Sequence, residues 1–364
     1  VVVEGDEVAD RGRVIFDQLR AEAEAVAPTP SADAPGEAVD PLAPPEVTPA
    51  AVPPIPVARP LPELAPDELA LPEPLEPILA SPSPAGTDPA LEQKSPTPKP
   101  SPFLRPFPRV MAVANQKGGV GKTTTAVNLG ACLADLGYRV LVCDLDPQGN
   151  ASTGLGLNPR NMTSSMYDVI LNDVPLEDCI EPSSVRNLFV APASLDLAGA
   201  EIELVPAFSR ELRLKRAIEA VSDDFDFVLI DCPPSLGLLT VNGLAAATEV
   251  VVPIQCEYYA LEGLGQLLRN VGLVQKNLNP SLEVSAIVCV MYDARTKLSE
   301  QVVAEVRSHF GDKVCRNVVP RTVRLSEAPS FGQPIIAFDP TSRGAIAYRE
   351  LAKEVSGGAP QRTR

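Results

Sequence analysis

Residues 109–125 read RVMAVANQKGGVGKTTT. An apolar run passes through a glycine-rich turn directly into a Lys-Thr-Thr-Thr segment, and few folds accommodate that order. Gly118, Gly119 and Gly121 let the backbone curl so that the successive N–H groups of 118–121, Val120 included, point inward at phosphate oxygens. A helix starting after the glycines adds the positive end of its dipole. Lys122 is then the residue that reaches the β- and γ-phosphates, Thr123 offers its hydroxyl to Mg²⁺, and Thr124 hydrogen-bonds the α-phosphate. A plain glycine turn has no need of a lysine and two threonines at that junction. The first half of the stretch is unusual. The common phosphate-loop pattern has a glycine five places before Gly121, and here that place holds Gln116, with a second lysine, Lys117, beside it.

After position 108, short apolar runs alternate with helix-like segments. Strands are expected at 109–115, 139–144, 187–192, 226–231, 249–255, 284–291 and 314–319. Helices are expected at 122–137, 164–172, 209–222, 240–247, 259–277, 299–310 and 342–355. Continuous Val/Ile/Leu runs belong to a sheet covered on both faces. Their alternation with helices predicts an α/β, doubly wound, mainly parallel sheet. Ligands of such sheets sit at the carboxyl ends of the strands, so chemistry is expected just after each strand. Acids appear there: DLDPQGNAS brings Asp144 and Asp146 after the second strand, and DCPPSLG brings Asp231 after the fourth. An acid at the end of a buried strand is costly unless something pairs with it. Mg²⁺, held through water, is the natural partner of Asp231. Asp146 is placed to orient or deprotonate an attacking water. Asp144 either holds the strand end or aids metal coordination.

The first 108 residues are different in kind. They hold 25 of the 40 prolines, and 7 Lys/Arg against 18 Asp/Glu. Such a stretch buries too little apolar surface to offset its ordering entropy, so 28–108 reads as a disordered, acidic, Pro-rich linker. Within 1–27, Val8, Ile15, Leu19, Ala23 and Val26 recur at helix-face intervals. This is either a short amphipathic helix that docks a partner or a frayed one without a partner. LPELAPDELALPEPLEPIL, at 61–79, reads as linker more readily than as a binding motif. The nucleotide-binding domain is expected over 109–355 and a flexible tail over 356–364.

No run of about 18 apolar residues is present, so no membrane span is expected. VVVEGDEV at the start has neither the basic segment nor the apolar core of a signal peptide. The seven cysteines are scattered singly, several in strand-like runs, and read as reduced, buried thiols of a cytoplasmic protein. His309, the single histidine, has no neighbour that makes it a ligand or a triad member.

KGGVGKTTT, DLDPQGNAS, DCPPSLGLLTVNGLAAA, MYDARTKLSEQVVAEVR and VVPRTVRLSEAPSFGQPIIAFDPTSRGAIAYRELAKEV resemble the ParA/Soj-type chromosome-partitioning ATPases, P-loop NTPases of the deviant Walker type. The resemblance runs over essentially all of 109–355. It implies weak, partner-stimulated hydrolysis of ATP with Mg²⁺. It implies that Lys117 is a signature lysine that crosses the interface of an ATP-sandwiched homodimer to the partner's phosphates. Pro320, in VVPR, falls among the residues near the base. Arg295 and Arg324 match positions that bind DNA without sequence preference, and Lys297 and Arg321 lie close to them in sequence. The resemblance further implies a ParB-type centromere-binding partner and a nucleoid-associated location in the cytoplasm. The tail leaves room for a polar or cell-division partner.

The charge distribution fits DNA binding better than the overall −16 does. Residues 109–292 carry 12 Lys/Arg and 21 Asp/Glu, whereas 293–364 carry 12 and 8. Three other readings compete. A MinD-like membrane-associated positioning ATPase needs an amphipathic C-terminal helix, and ELAKEVSGGAPQRTR is polar and broken. An electron-transfer reductase needs cluster cysteines. A non-hydrolysing scaffold needs a lesion among Lys117, Lys122, Thr123, Asp146 and Asp231, and none is present.

Overall fold

Every apolar run named above except one becomes a strand of a single sheet. The computed structural model describes residues 101–158, 161–257 and 260–359. The strands are β1 (Arg109–Val113), β2 (Val140–Asp144), β3 (Glu181–Pro182), β4 (Leu188–Ala191), β5 (Phe227–Asp231), β6 (Glu249–Gln255) and β7 (Glu283–Val290). Their spatial order is β3-β4-β2-β5-β1-β6-β7. All neighbours pair in parallel except the two-residue edge strand β3, which is antiparallel to β4. The mainly parallel, doubly wound sheet is therefore as expected.

The helices are α1 (Lys122–Asp135), α2 (Asn150–Gly154), α3 (Met166–Leu171), α4 (Leu197–Glu203), α5 (Arg213–Val221), α6 (Leu238–Ala246), α7 (Ala260–Asn277), α8 (Lys297–Phe310), α9 (Val323–Glu327), α10 (Ile335–Phe338) and α11 (Arg343–Ser356). Helices α3 to α8 bury their apolar sides on one face of the sheet. On the other face, α1, α2 and α9 to α11 form the second layer. Both faces of the sheet are covered, which is why its strands are apolar throughout. α11 shows how sequence sets the packing. Ser342 caps its start by accepting the Ala345 N–H at 3.2 Å, and Ala345, Tyr348, Leu351, Ala352 and Val355 recur on one side and are buried.

The expected strand at 314–319 does not form. Val314 and Pro320 make isolated bridges to Ile287 and Tyr292 beside β7. Between them, the N–H groups of Arg316 and Asn317 donate to the Glu354 carboxylate, at 2.7 and 3.2 Å. Cys315 and Val319 still donate to β7, but the amides between them are used by a side chain, which interrupts the ladder.

The helix expected at 1–27, the linker at 28–100 and the last residues of the C-terminal tail lie outside the described residues. The end of the expected linker is described, and it is part of the fold. Phe103 is buried, and Phe107 packs against Tyr138 and Phe227 with ring centroids 5.7 and 5.3 Å apart. Gly357, which ends α11 with φ +64°, lies directly beneath Leu104: a Cβ on it would sit 2.5 Å from the Leu104 nitrogen. At the other boundary, Ala359 is buried and its carbonyl accepts the Tyr138 hydroxyl. The folded unit thus starts at least eight residues before β1.

Candidate nucleotide-binding site

The loop between β1 and α1 adopts the shape its glycines permit. Gly119 and Gly121 have φ of +72° and +76°, a left-handed conformation that costs other residues about 1–2 kcal/mol. Gly121 is the N-cap of α1 and offers no side chain to the first helical N–H groups. Those donors are left for an anion.

Alternate residues at the end of β6 hold this loop. The Pro253 carbonyl accepts Asn115 Nδ2 at 2.8 Å, and Asn115 Oδ1 in turn accepts the Lys117 N–H at 3.1 Å. Gln255 Nε2 donates to the Gly119 carbonyl at 3.2 Å. Glu257 Oε2 lies 3.6 Å from Lys117 Nζ, with both side chains partly exposed. Asn115, Gln255 and Glu257 were not among the expected site residues. The rule that placed Asp144 and Asp231, chemistry after each strand end, points equally to Gln255 and Glu257.

β1, β5 and β2 lie side by side, and their register aligns Val113, Asp231 and Asp144 across the carboxyl end of the sheet. Lys122, Asp231 and Asp144 are all buried. Desolvation lowers the pKa of Lys122, partly offset by Asp231, Cys232 and Asp146. Lys122 Nζ has the Lys117 carbonyl at 3.3 Å as a partner. Asp144 is fully satisfied: Oδ2 accepts the Ser152 N–H and hydroxyl at 2.8 and 2.7 Å, and Oδ1 accepts the Asp146 N–H at 3.1 Å. Burial nevertheless pushes its pKa up to about 6. Of the two readings left open for Asp144, these bonds match the one in which it holds the strand end, by tying α2 to β2.

Asp231 is the opposite case. It is fully buried, and neither carboxylate oxygen completes a hydrogen bond of ordinary geometry. Burial and then Asp144 push its pKa well up, while the nearby Thr123 hydroxyl and the Lys122 charge pull it partly back. A buried acid with no partner is costly and calls for a cation. Among the described residues no group of three or more His, Cys, Asp and Glu side chains forms a cage. One hydroxyl and one carboxylate suit Mg²⁺, which keeps several waters and takes phosphate oxygens as ligands. Asp146 is half-buried at the rim, where its Oδ1 accepts the Gln148 N–H at 3.0 Å.

Beside the first turns of α1 is a cleft of about 400 Å³, lined by Thr123, Thr124, Asn128, Asn150 and Pro329 among others, a size typical of small-molecule sites. Pro320 does not line it; it bridges to Tyr292 just beyond β7. The same contact joins the two basic segments, because the Arg321 N–H donates to the Tyr292 carbonyl at 3.0 Å. Arg295, Lys297, Arg321 and Arg324 are all exposed. Arg295 holds Asp293 through two bonds of 2.9 and 2.7 Å, which brings the Asp293 pKa down to about 2. Arg324 pairs with Glu327 at 3.0 Å and Asp339 at 3.4 Å. The seven cysteines are free and buried.

Fold and loop together define a P-loop nucleotide-binding protein. Comparison with known proteins narrows this. Residues 108–284 match the AAA domain family. The chain is 59% identical over 248 residues to the sporulation initiation inhibitor protein Soj of Bacillus subtilis, covering 68% of this chain and 98% of that one. It is 53% identical over 249 residues to the chromosome partitioning protein ParA of Caulobacter vibrioides, covering 68% and 93%. Among solved structures, it resembles cobyrinic acid a,c-diamide synthase from Mycobacterium smegmatis with bound ATP analog and magnesium, with 44% identity, a TM-score of 0.60 and coverage of 67% and 92%. The chain belongs to the Soj/ParA family of chromosome-partitioning ATPases.

Proposed function

We propose that the protein hydrolyses ATP with Mg²⁺, pairs with a second copy around the nucleotides, and binds duplex DNA without sequence preference in that state. Hydrolysis releases it, and a ParB-type centromere-binding protein stimulates the cycle in chromosome segregation. The observation that carries the reading is Asp231, a buried carboxylate without a hydrogen-bond partner beside Thr123 and Lys122 at an uncapped helix start.

In this reading the N–H groups of 118–121 and Lys122 bind the phosphates, Thr124 the α-phosphate, and Thr123 and Asp231 hold Mg²⁺. Held there, Mg²⁺ would supply positive charge that offsets the negative charge of the phosphates. Asp146 orients the water that attacks the γ-phosphorus. The bond to the bridging oxygen breaks, leaving ADP and phosphate. Lys117 of each copy stabilises charge on the other copy's nucleotide, as an arginine finger does. Pro320 borders the base. Arg295, Lys297, Arg321 and Arg324 supply phosphate contacts that carry affinity but no sequence preference. Arg295 and Arg324 are themselves exposed, so their present pairs with Asp293, Glu327 and Asp339 are screened by solvent and can exchange for phosphates. The solved relative with its ATP analog and magnesium supports the nucleotide and metal.

A membrane-positioning role is disfavoured because α11 spends its apolar side on the core, and among the described residues no helix is long and apolar enough to cross a membrane. Amide synthesis is not carried over from the solved relative. The test is co-sedimentation with non-specific duplex under ATP, ADP and no nucleotide, with Arg324→Ala in parallel. Binding with ATP alone, weakened by salt and by the substitution, is expected. No binding with ATP despite normal nucleotide affinity would overturn the DNA cycle.

A further inference from the structure

In the single chain, Lys117 is already occupied. Its ammonium lies 3.6 Å from the Glu257 carboxylate, and its N–H is fixed by Asn115, itself held by the Pro253 carbonyl. Gln255 holds the Gly119 carbonyl between them. Three alternate residues of one strand end and its continuation therefore hold the loop at three points, and the outermost holds a charge. We propose that Glu257 is a positioning residue, a latch that keeps Lys117 on its own subunit and sets how readily two copies close around nucleotide. This rests on the reading of Lys117 as a contact across the dimer.

The physics requires a latch to be weak, and this one is. The two side chains are 37% and 52% exposed, so the pair is screened and contributes little. A triphosphate on a second copy offers a larger negative charge and outcompetes one carboxylate. The carboxylate still subtracts from what closure gains, because only the difference between the two states shifts their populations. Glu257 has no hydrogen bond to Lys122, and nothing in its contacts reaches Asp231 or Thr123. Its effect should therefore fall on pairing and spare the nucleotide affinity of one subunit. A symmetric pair opens two latches at once. A change of about two- to fivefold per site, the range an exposed ion pair supports, becomes about four- to twenty-fivefold in the dimer dissociation constant.

The experiment is sedimentation equilibrium of the full chain with saturating non-hydrolysable ATP analogue, comparing wild type, Glu257→Gln and Glu257→Asp. The dissociation constant of the dimer is expected to fall by about four- to twenty-fivefold in the Gln variant, with the Asp variant between it and wild type. Analogue affinity, measured at concentrations too low for pairing, and the thermal midpoint are expected to stay at wild-type values. An unchanged dissociation constant in Glu257→Gln overturns the latch. A raised one overturns it too and makes Glu257 part of the closed interface. Wild type that does not pair under the analogue at all overturns the reading of the dimer itself, and the latch with it.

Discussion

The two ends of the sheet bury charge in opposite ways. At the amino ends of β1 and β6, Arg109 and Glu249 are both almost fully buried. They meet through two bonds of 2.7 Å, a third Arg109 nitrogen donates to the Val355 carbonyl at 2.6 Å, and the guanidinium lies 5.3 Å from the centre of the Phe227 ring. At the carboxyl ends of the same layer, Asp231 has no hydrogen-bonded oxygen. Both arrangements remove ions from water, and both are expensive to build. The first is closed and can only hold the fold. The second is open, and in the proposed function it takes Mg²⁺ as its partner. Burial alone thus does not mark a functional charge; burial with an unmet bonding capacity does.

The strongest way to break the comparison is Glu249→Gln. It leaves the Arg109 charge buried without its counter-ion, and a loss of about 3–5 kcal/mol in unfolding free energy is expected. Chemical denaturation measures it, and a loss below about 1 kcal/mol would mean that this pole is wetter than its geometry implies. Asp231→Asn should act with the opposite sign. Without nucleotide it replaces a desolvated carboxylate, only partly offset by Thr123 and Lys122, with a neutral amide and raises stability, while the rise in thermal midpoint given by ATP with Mg²⁺ disappears. A destabilised apo variant would contradict the contrast between the poles.

The smallest effect concerns pH. Burial pushes the Asp144 pKa from an ordinary value of 3.8 up to about 6 in the folded state. Between those values the native chain binds more protons than the unfolded one, so this group's contribution to stability is lost as pH rises from about 4 to about 6. The stability advantage of wild type over Asp144→Asn should shrink across that window in metal-free buffer and stay level above it. An advantage that grows with pH would show that the Ser152 bonds outweigh burial.

Much of this was legible in the residues, and the failures have identifiable causes. Buried strands with glycine or acid at their ends announced the sheet and its active edge. The run at 314–319 looked the same locally, and only the fold reveals that Glu354, on α11, takes its amides. α4 was missed although Leu197, Ala200 and Leu204 recur at helical spacing and are buried; its other residues give no amphipathic contrast, since Ile202 is 76% exposed. β3 is two exposed residues and carries no periodic signal. Composition placed 101–108 with the linker because prolines surround Phe103 and Phe107, yet two aromatics were enough to dock it. Asp231 stands where the strand-end rule expects an acid, and it is buried there. Ser152, which fastens Asp144, lies in DLDPQGNAS, and only the fold brings its hydroxyl and N–H onto that carboxylate.

The docking of 101–108 over Gly357 also has a mechanical consequence. Any pull transmitted through the first hundred residues is borne first where Leu104 rests on the end of α11, then by Arg105, which pairs with Glu249 and Glu283, and by Arg109. These anchors lie at the pole away from the phosphate loop. From there force reaches the loop along β1 and also along β6, which starts at Glu249 and whose end holds Asn115 and Gly119. A load applied at residue 101 is thus shared by two strands before it reaches the phosphate loop.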